Sequence, residues 1–285
     1  MANFTTSDGL SLWFDDTGIT QGDDRPVVLC LAGLTRNSSD FDYALPYLTG
    51  ARVIRMDYRG RGQSDWAEDF TTYSIPREAQ DALELLDFLE LDRAAILGTS
   101  RGGLIALTLA AFARDRLSGV CFNDVGPVIE LGGLEGIMLF LGRNPVWTTH
   151  DQAEAAFGTR VPGFDNVPMS RWREEVEKHY IETDTGLQIN YDPKLRDAVA
   201  ASFSPEATPP DLWPLFDALA GVPVAGLRGE NSDILSAETF AEMQSRLPMI
   251  AATVKNRGHV PFLDEPECVT VLNNWIAALA EKETQ

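Results

Sequence analysis

Gly98-Thr99-Ser100-Arg101-Gly102 sets a serine between two glycines, directly after the apolar run Ala94–Leu97 and directly before the Ala- and Leu-rich stretch RGGLIALTLA. A serine in a sharp strand-to-helix turn holds its hydroxyl clear of the sheet. It also sits at a helix N-terminus, where backbone N–H groups and the positive dipole end favour negative charge on a reacting oxygen. In such a turn Gly98 and Gly102 have a steric purpose, because a side chain at either would strike the neighbouring strand or helix. The same spacing also describes a helix N-cap serine followed by packing glycines, so partners must decide.

A hydroxyl is a weak nucleophile near neutral pH and needs a base. His259, in GHVPFLDEP, is the only histidine that follows a late apolar run, Ile250–Val254; His150 and His179 fall in a different part of the chain. The base needs an acid to orient it, and LRGENSDIL, after the preceding run, offers Asp233, with Glu230 three residues earlier as the alternative. Ser100 is then the expected nucleophile, His259 the base and Asp233 the acid. Two backbone N–H groups should hold an oxyanion, one from Arg101 and one from Leu34 in the loop LAGLT, where Gly33 permits a tight approach.

These residues need a scaffold, and the apolar runs supply one. Leu10–Phe14, Val27–Leu31, Arg52–Met56, Ala94–Leu97, Gly119–Phe122, Val222–Leu227 and Ile250–Val254 read as strands. Helical patterns such as Ile75–Leu89 and Gly103–Phe112 separate most of the later ones. Alternating strands and helices imply a parallel sheet covered by helices. The first run, among turn residues, reads as an antiparallel hairpin at the edge. The rhythm breaks between about Leu131 and Leu215, a helical and aromatic stretch without a buried-strand run, containing Trp147, Trp172 and many prolines, Pro205 and Pro209 among them. We expect residues 1–130 and 216–285 to form one α/β core and 131–215 a helical cap, with Phe140, Trp147 and Trp172 as candidate pocket residues against an apolar substrate group.

With 285 residues, 44% of them hydrophobic, the chain can bury a full core. Its formal net charge of −20 repels nucleic acid and anionic membranes, and no stretch approaches the roughly 20 apolar residues of a membrane span. A small-molecule substrate is the expected partner, in a monomer or homodimer. Cys30, Cys121 and Cys268 are odd in number and far apart, two of them in apolar runs, as suits a reducing cytoplasm. Neither they nor the histidines cluster at metal-ligand spacing, and the chemistry outlined requires no cofactor.

In order and interval, LAGLTRN, DYRGRGQSD (Asp57–Asp65), GTSRGG, RGENSD and RGHVPFLDEPE resemble the α/β-hydrolase superfamily along nearly the whole chain. The resemblance implies a mostly parallel eight-stranded sheet with a helical lid inserted after the sixth strand, and a nucleophile, acid and base in that chain order. It also implies that Asp57–Asp65 shapes a turn at the rim of the site. Ser100 argues against dehalogenase and epoxide hydrolase members, which carry Asp there. The chain departs from the common pattern in two places. Ala32-Gly33 stands where many members have His-Gly, which leaves the backbone donor intact. Arg101 stands where Met or Gly is usual, and it either offers a cation to the substrate or, the reading we favour, pairs with an acid on the helix surface. The expected activity is hydrolysis of a carboxylic ester or lactone through an acyl-enzyme. Alternatives on the same residues are C–C bond hydrolysis or perhydrolase chemistry, and a hydrolase-fold binding or receptor protein.

Overall fold

In the computed structural model, which describes residues 1–18, 25–202 and 210–283, an eight-stranded sheet runs in the order β1-β2-β4-β3-β5-β6-β9-β10. The strands are β1 (Ala2–Thr5), β2 (Ser11–Asp16), β3 (Val27–Leu31), β4 (Arg52–Met56), β5 (Ala94–Thr99), β6 (Leu117–Asn123), β9 (Val224–Gly229) and β10 (Met249–Val254). From β4 onward all neighbours are parallel, whereas β1–β2 and β2–β4 are antiparallel, as the turn-rich N-terminus predicts. Every residue of β5 and β6 is buried, which is why these strands read as continuous apolar runs rather than alternating ones. β1 escapes a sequence reading because it is four residues long and only Phe4 is buried.

Helices α1 (Ile75–Phe88) and α2 (Arg101–Phe112) pack against each other, and α8 (Ala237–Arg246) and α9 (Pro266–Glu283) flank β9 and β10. Ser74 caps α1, with Pro76 in its first turn; such a cap contributes about 1 kcal/mol. Trp275 of α9 is fully buried, and its indole N–H donates to the Pro223 carbonyl at 3.1 Å, so one ring both fills the core and satisfies a backbone acceptor.

Between β6 and β9 the chain leaves the sheet for α3 (Leu131–Phe140), α4 (His150–Arg160), α5 (Met169–His179), the antiparallel hairpin β7 (Tyr180–Thr183)–β8 (Gly186–Ile189), α6 (Leu195–Ser202) and the short α7 (Trp213–Asp217). The hairpin adds two short strands to a segment expected to be mostly helical. Its strands are short and partly polar, YIET and GLQI, and turn tightly at Gly186, whose φ is +117°. Pro205 and Pro209 lie outside the described residues. This insertion has a small core of its own, Ala153, Val176 and Leu187 with Trp147, Phe157 and Tyr180. It is bound to the sheet layer by Arg36–Glu175 at 2.7 Å, Arg171–Asp264 at 2.5 Å and a Tyr73 hydroxyl donating to Asp192 at 2.6 Å. No described helix is long and apolar enough to cross a membrane, and all three cysteines are buried free thiols.

Candidate active site

Ser100 sits between β5 and α2 with φ 49° and ψ −112°, a left-handed conformation that costs a non-glycine residue energy and is held by what surrounds it. Its N–H donates to the Asn123 carbonyl at 3.0 Å, which fastens the turn to β6. The two glycines are required by contact. A Cβ on Gly98 would lie 2.6 Å from the Gly102 carbonyl carbon, and one on Gly102 would lie 2.0 Å from the Leu31 carbonyl oxygen on β3.

His259, in the loop after β10, brings its Nε2 to 2.9 Å from Ser100 Oγ. Its Nδ1 lies 2.7 Å from Oδ2 of Asp124, a residue that directly follows β6 and is completely buried. The acid on the histidine is therefore Asp124, not the expected Asp233 nor the alternative Glu230. Asp233 is exposed, and the exposed Glu230 accepts from the Asn256 backbone N–H at 3.0 Å. The RGENSD loop instead supports Asp124 from behind, the Gly229 N–H donating to Oδ1 and the Ser232 hydroxyl to Oδ2, each at 2.7 Å. Three polar contacts on one buried carboxylate fix its direction. Sequence reasoning missed Asp124, although an acid one residue beyond the strand GVCFN was available as a signal.

With Nδ1 directed at a carboxylate, Nε2 is free to accept a proton from Ser100. Leu34 follows β3, and Gly33 brings its loop against the serine: a Cβ there would be 3.9 Å from that of Ser100. The Gly102 N–H donates to the Ala32 carbonyl at 3.1 Å, locking this loop to the start of α2. Among the described residues neither the Leu34 nor the Arg101 N–H donates to an acceptor in the chain.

The Arg101 side chain is turned inward. Its Nε donates to Glu78 at 2.5 Å and its Nη2 to the Tyr73 carbonyl at 3.0 Å, with Glu78 fully buried. It therefore pairs with an acid, as expected, but in the interior rather than on the helix surface, and it offers no cation to a substrate. The Asp57–Asp65 loop is structural: Asp57 accepts from the Ser38 and Gln63 N–H groups at 2.7 and 2.9 Å, and the buried Arg59 pairs with Asp81 at 2.6 Å.

The aromatic candidates divide. Phe140 is 57% exposed on α3, and Trp147 stacks edge-on against Phe157 and Tyr180 inside the insertion. Trp172 is buried and packs its ring 6.0 Å from that of Phe262, three residues past His259, which puts it in the seam between the insertion and the histidine loop. The apolar side chains that pack with Leu34 in one cluster include Ile137, Met138 and Tyr180, none of which was singled out from sequence.

An alpha/beta hydrolase family model matches residues 28–270. A 3-hydroxybutyrate-oligomer hydrolase of Cupriavidus necator is 34% identical over 255 residues, 86% of each chain. The esterase Rv0045c of Mycobacterium tuberculosis is 25% identical over 256 residues, covering 87% of this chain and 81% of that one. The crystal structure of an alpha/beta hydrolase from Novosphingobium aromaticivorans is similar with a TM-score of 0.88 at 37% identity, covering 98% of this chain and 99% of the other. The match takes in β3 through the first turns of α9, and with it Leu34, Ser100, Asp124 and His259: the chain belongs to the alpha/beta hydrolase family.

Proposed function

We propose that the protein hydrolyses small carboxylic esters through an acyl-enzyme on Ser100. His259 Nε2 takes the proton as Ser100 Oγ attacks the ester carbonyl carbon, and the oxyanion accepts hydrogen bonds from the Leu34 and Arg101 N–H groups. Collapse breaks the bond to the alcohol oxygen, which leaves with the proton from His259. Water, deprotonated by the same nitrogen, then releases the acid and restores the hydroxyl. Asp124 holds the imidazole in the required tautomer and balances its transient positive charge. No step calls for a cofactor.

The observation that carries this reading is the unbroken sequence of contacts from Asp124 through His259 to Ser100, at 2.7 and 2.9 Å. The relative from Cupriavidus necator, named for 3-hydroxybutyrate oligomers, extends it to esters of short hydroxyalkanoic acids. Chemistry that must grip a substrate carboxylate, as C–C cleavage of a β-diketone acid does, is disfavoured. Arg101 is neutralised by Glu78, and Arg36, beside Gly33, by Asp40 and Glu175.

Ser100→Ala tests the proposal. Turnover of p-nitrophenyl butyrate and of a 3-hydroxybutyrate dimer should fall by on the order of 10⁴-fold or more, and labelling by a fluorophosphonate should vanish. Ester turnover retained by Ser100→Ala would overturn it.

A further inference from the structure

Resting on that reading, we infer that Glu78 is a positioning residue that holds both oxyanion donors at once. Glu78 stands in the first turn of α1, fully buried, and gives its two oxygens to two different guanidinium groups. Oε2 accepts from Nε of Arg101, whose own N–H is one donor, at 2.5 Å. Oε1 accepts from Nη1 of Arg61 at 2.7 Å, and Nε of Arg61 donates to the carbonyl of Leu34, the residue that carries the other donor, at 3.0 Å. One carboxylate thus ties the residue after the nucleophile to the loop across from it.

The contacts around this bridge are directional. Arg61 is completely buried, donates also to the Arg59 carbonyl at 2.7 Å, and lies 5.4 and 5.6 Å from the ring centres of Tyr58 and Tyr73. The Tyr58 hydroxyl donates to the Ala32 carbonyl at 3.0 Å, holding the oxyanion loop two residues upstream. A fork of fixed shape meeting three acceptors leaves Leu34 little freedom to rotate. Burial raises the affinity of Glu78 for a proton, and the adjacent Arg101 and Arg61 charges outweigh it, keeping the carboxyl below its usual range. The site that the chain fills with Arg101 instead of an apolar residue is therefore coupled to its oxyanion loop through Glu78.

The test compares wild type, Glu78→Gln and Ser100→Ala on a matched pair of substrates, an ester and its thionoester, whose sulfur is a poor acceptor for oxyanion donors. Displacing donors without removing them should lower kcat for the oxoester about 10- to 100-fold with KM within about threefold. The thionoester rate should change far less, so the oxo-to-thiono ratio collapses. A purely structural role would depress both substrates alike. Thermal melts establish that the variant is folded, and Arg61→Lys, which keeps the charge facing Glu78 but loses the fork onto Leu34, should collapse the ratio in the same way. A wild-type ratio in folded Glu78→Gln or Arg61→Lys, with Ser100→Ala inactive, overturns this inference alone. Turnover surviving in Ser100→Ala overturns the ester hydrolase reading and this inference with it.

Discussion

Asp124→Asn is the substitution whose outcome the geometry determines most tightly. Oδ1 of Asp124 accepts from the Gly229 N–H at 2.7 Å and Oδ2 faces His259 Nδ1 at 2.7 Å. In the asparagine variant the amide oxygen must stay on the Gly229 side, since an NH₂ group there would oppose a backbone donor. The NH₂ then faces Nδ1 and can only donate to it. His259 is driven to the tautomer with its proton on Nε2, pointing at Ser100 Oγ at 2.9 Å, where a base is needed. The fold should survive, because volume and most hydrogen bonds are kept, yet the reaction loses its proton acceptor. The same exchange of Asp for Asn in a serine protease triad lowers kcat about 10⁴-fold, and the loss expected here is about 10³- to 10⁴-fold, or about 4–5.5 kcal/mol of barrier. Initial rates on p-nitrophenyl butyrate, with melting curves for both variants, provide the assay. Asp233→Asn, on an exposed residue, should stay within about twofold of wild type. Asp124→Asn retaining a tenth of wild-type kcat, or Asp233→Asn losing a hundredfold, would refute the assignment.

Other parts of the molecule make independent predictions. Gly102→Ala forces a methyl to within 2.0 Å of the Leu31 carbonyl oxygen, and β3 has no room to move; a loss of about 3 kcal/mol or more is expected in urea unfolding, and a loss below 1 kcal/mol would contradict the contact. His179, in the seam at the end of α5, accepts from Arg36 at 2.8 Å, and burial together with that cation pushes it down to about 4. In the unfolded chain it titrates near 6.5. Acidification from pH 6.5 toward 4 therefore protonates only the unfolded state and removes stability that is complete above 6.5, about 2 kcal/mol for this partly exposed ring. Unfolding curves at pH 7, 5.5 and 4.5 should show the gap between wild type and His179→Gln narrowing as pH falls; a pH-independent gap would count against it.

Sequence alone locates the serine and the histidine because their signals are local. An apolar strand, a glycine-flanked turn and a helical run are all contained in Ala94–Phe112, and GHVPF follows a strand directly. The acid is different. Both β6 and β9 are followed within a few residues by a carboxylate, and only the sheet order, with β6 lying between β5 and β9, together with the turn at Asp124 (φ 58°), decides which one meets the imidazole. Glu78 is 23 residues from Arg101 and cannot be paired with it by any periodicity. The aromatic insertion resists reading for another reason. Composition says that Phe140, Trp147 and Trp172 want burial, but which of them faces the insertion's own core, the seam or solvent depends on how its helices are tilted over the sheet. Helix positions are legible where ends are punctuated, as by Ser74 before α1 and Pro76 in its first turn.

The pairing of β5 with β6 carries a final consequence. Thr99 stands opposite Asn123, so Ser100 and Asp124 are the next residues out of two adjacent parallel strands. Their separation is inherited from the spacing of about 4.8 Å that hydrogen-bonded strands adopt in any sheet. A slip of one residue would carry the carboxylate about 3.3 Å along the strand and turn it to the opposite face. Turnover is thus a sensitive gauge of strand alignment. In a refolding experiment, recovered activity would report the fraction of chains that have zipped β5 and β6 in the native frame, information that helical content alone does not contain.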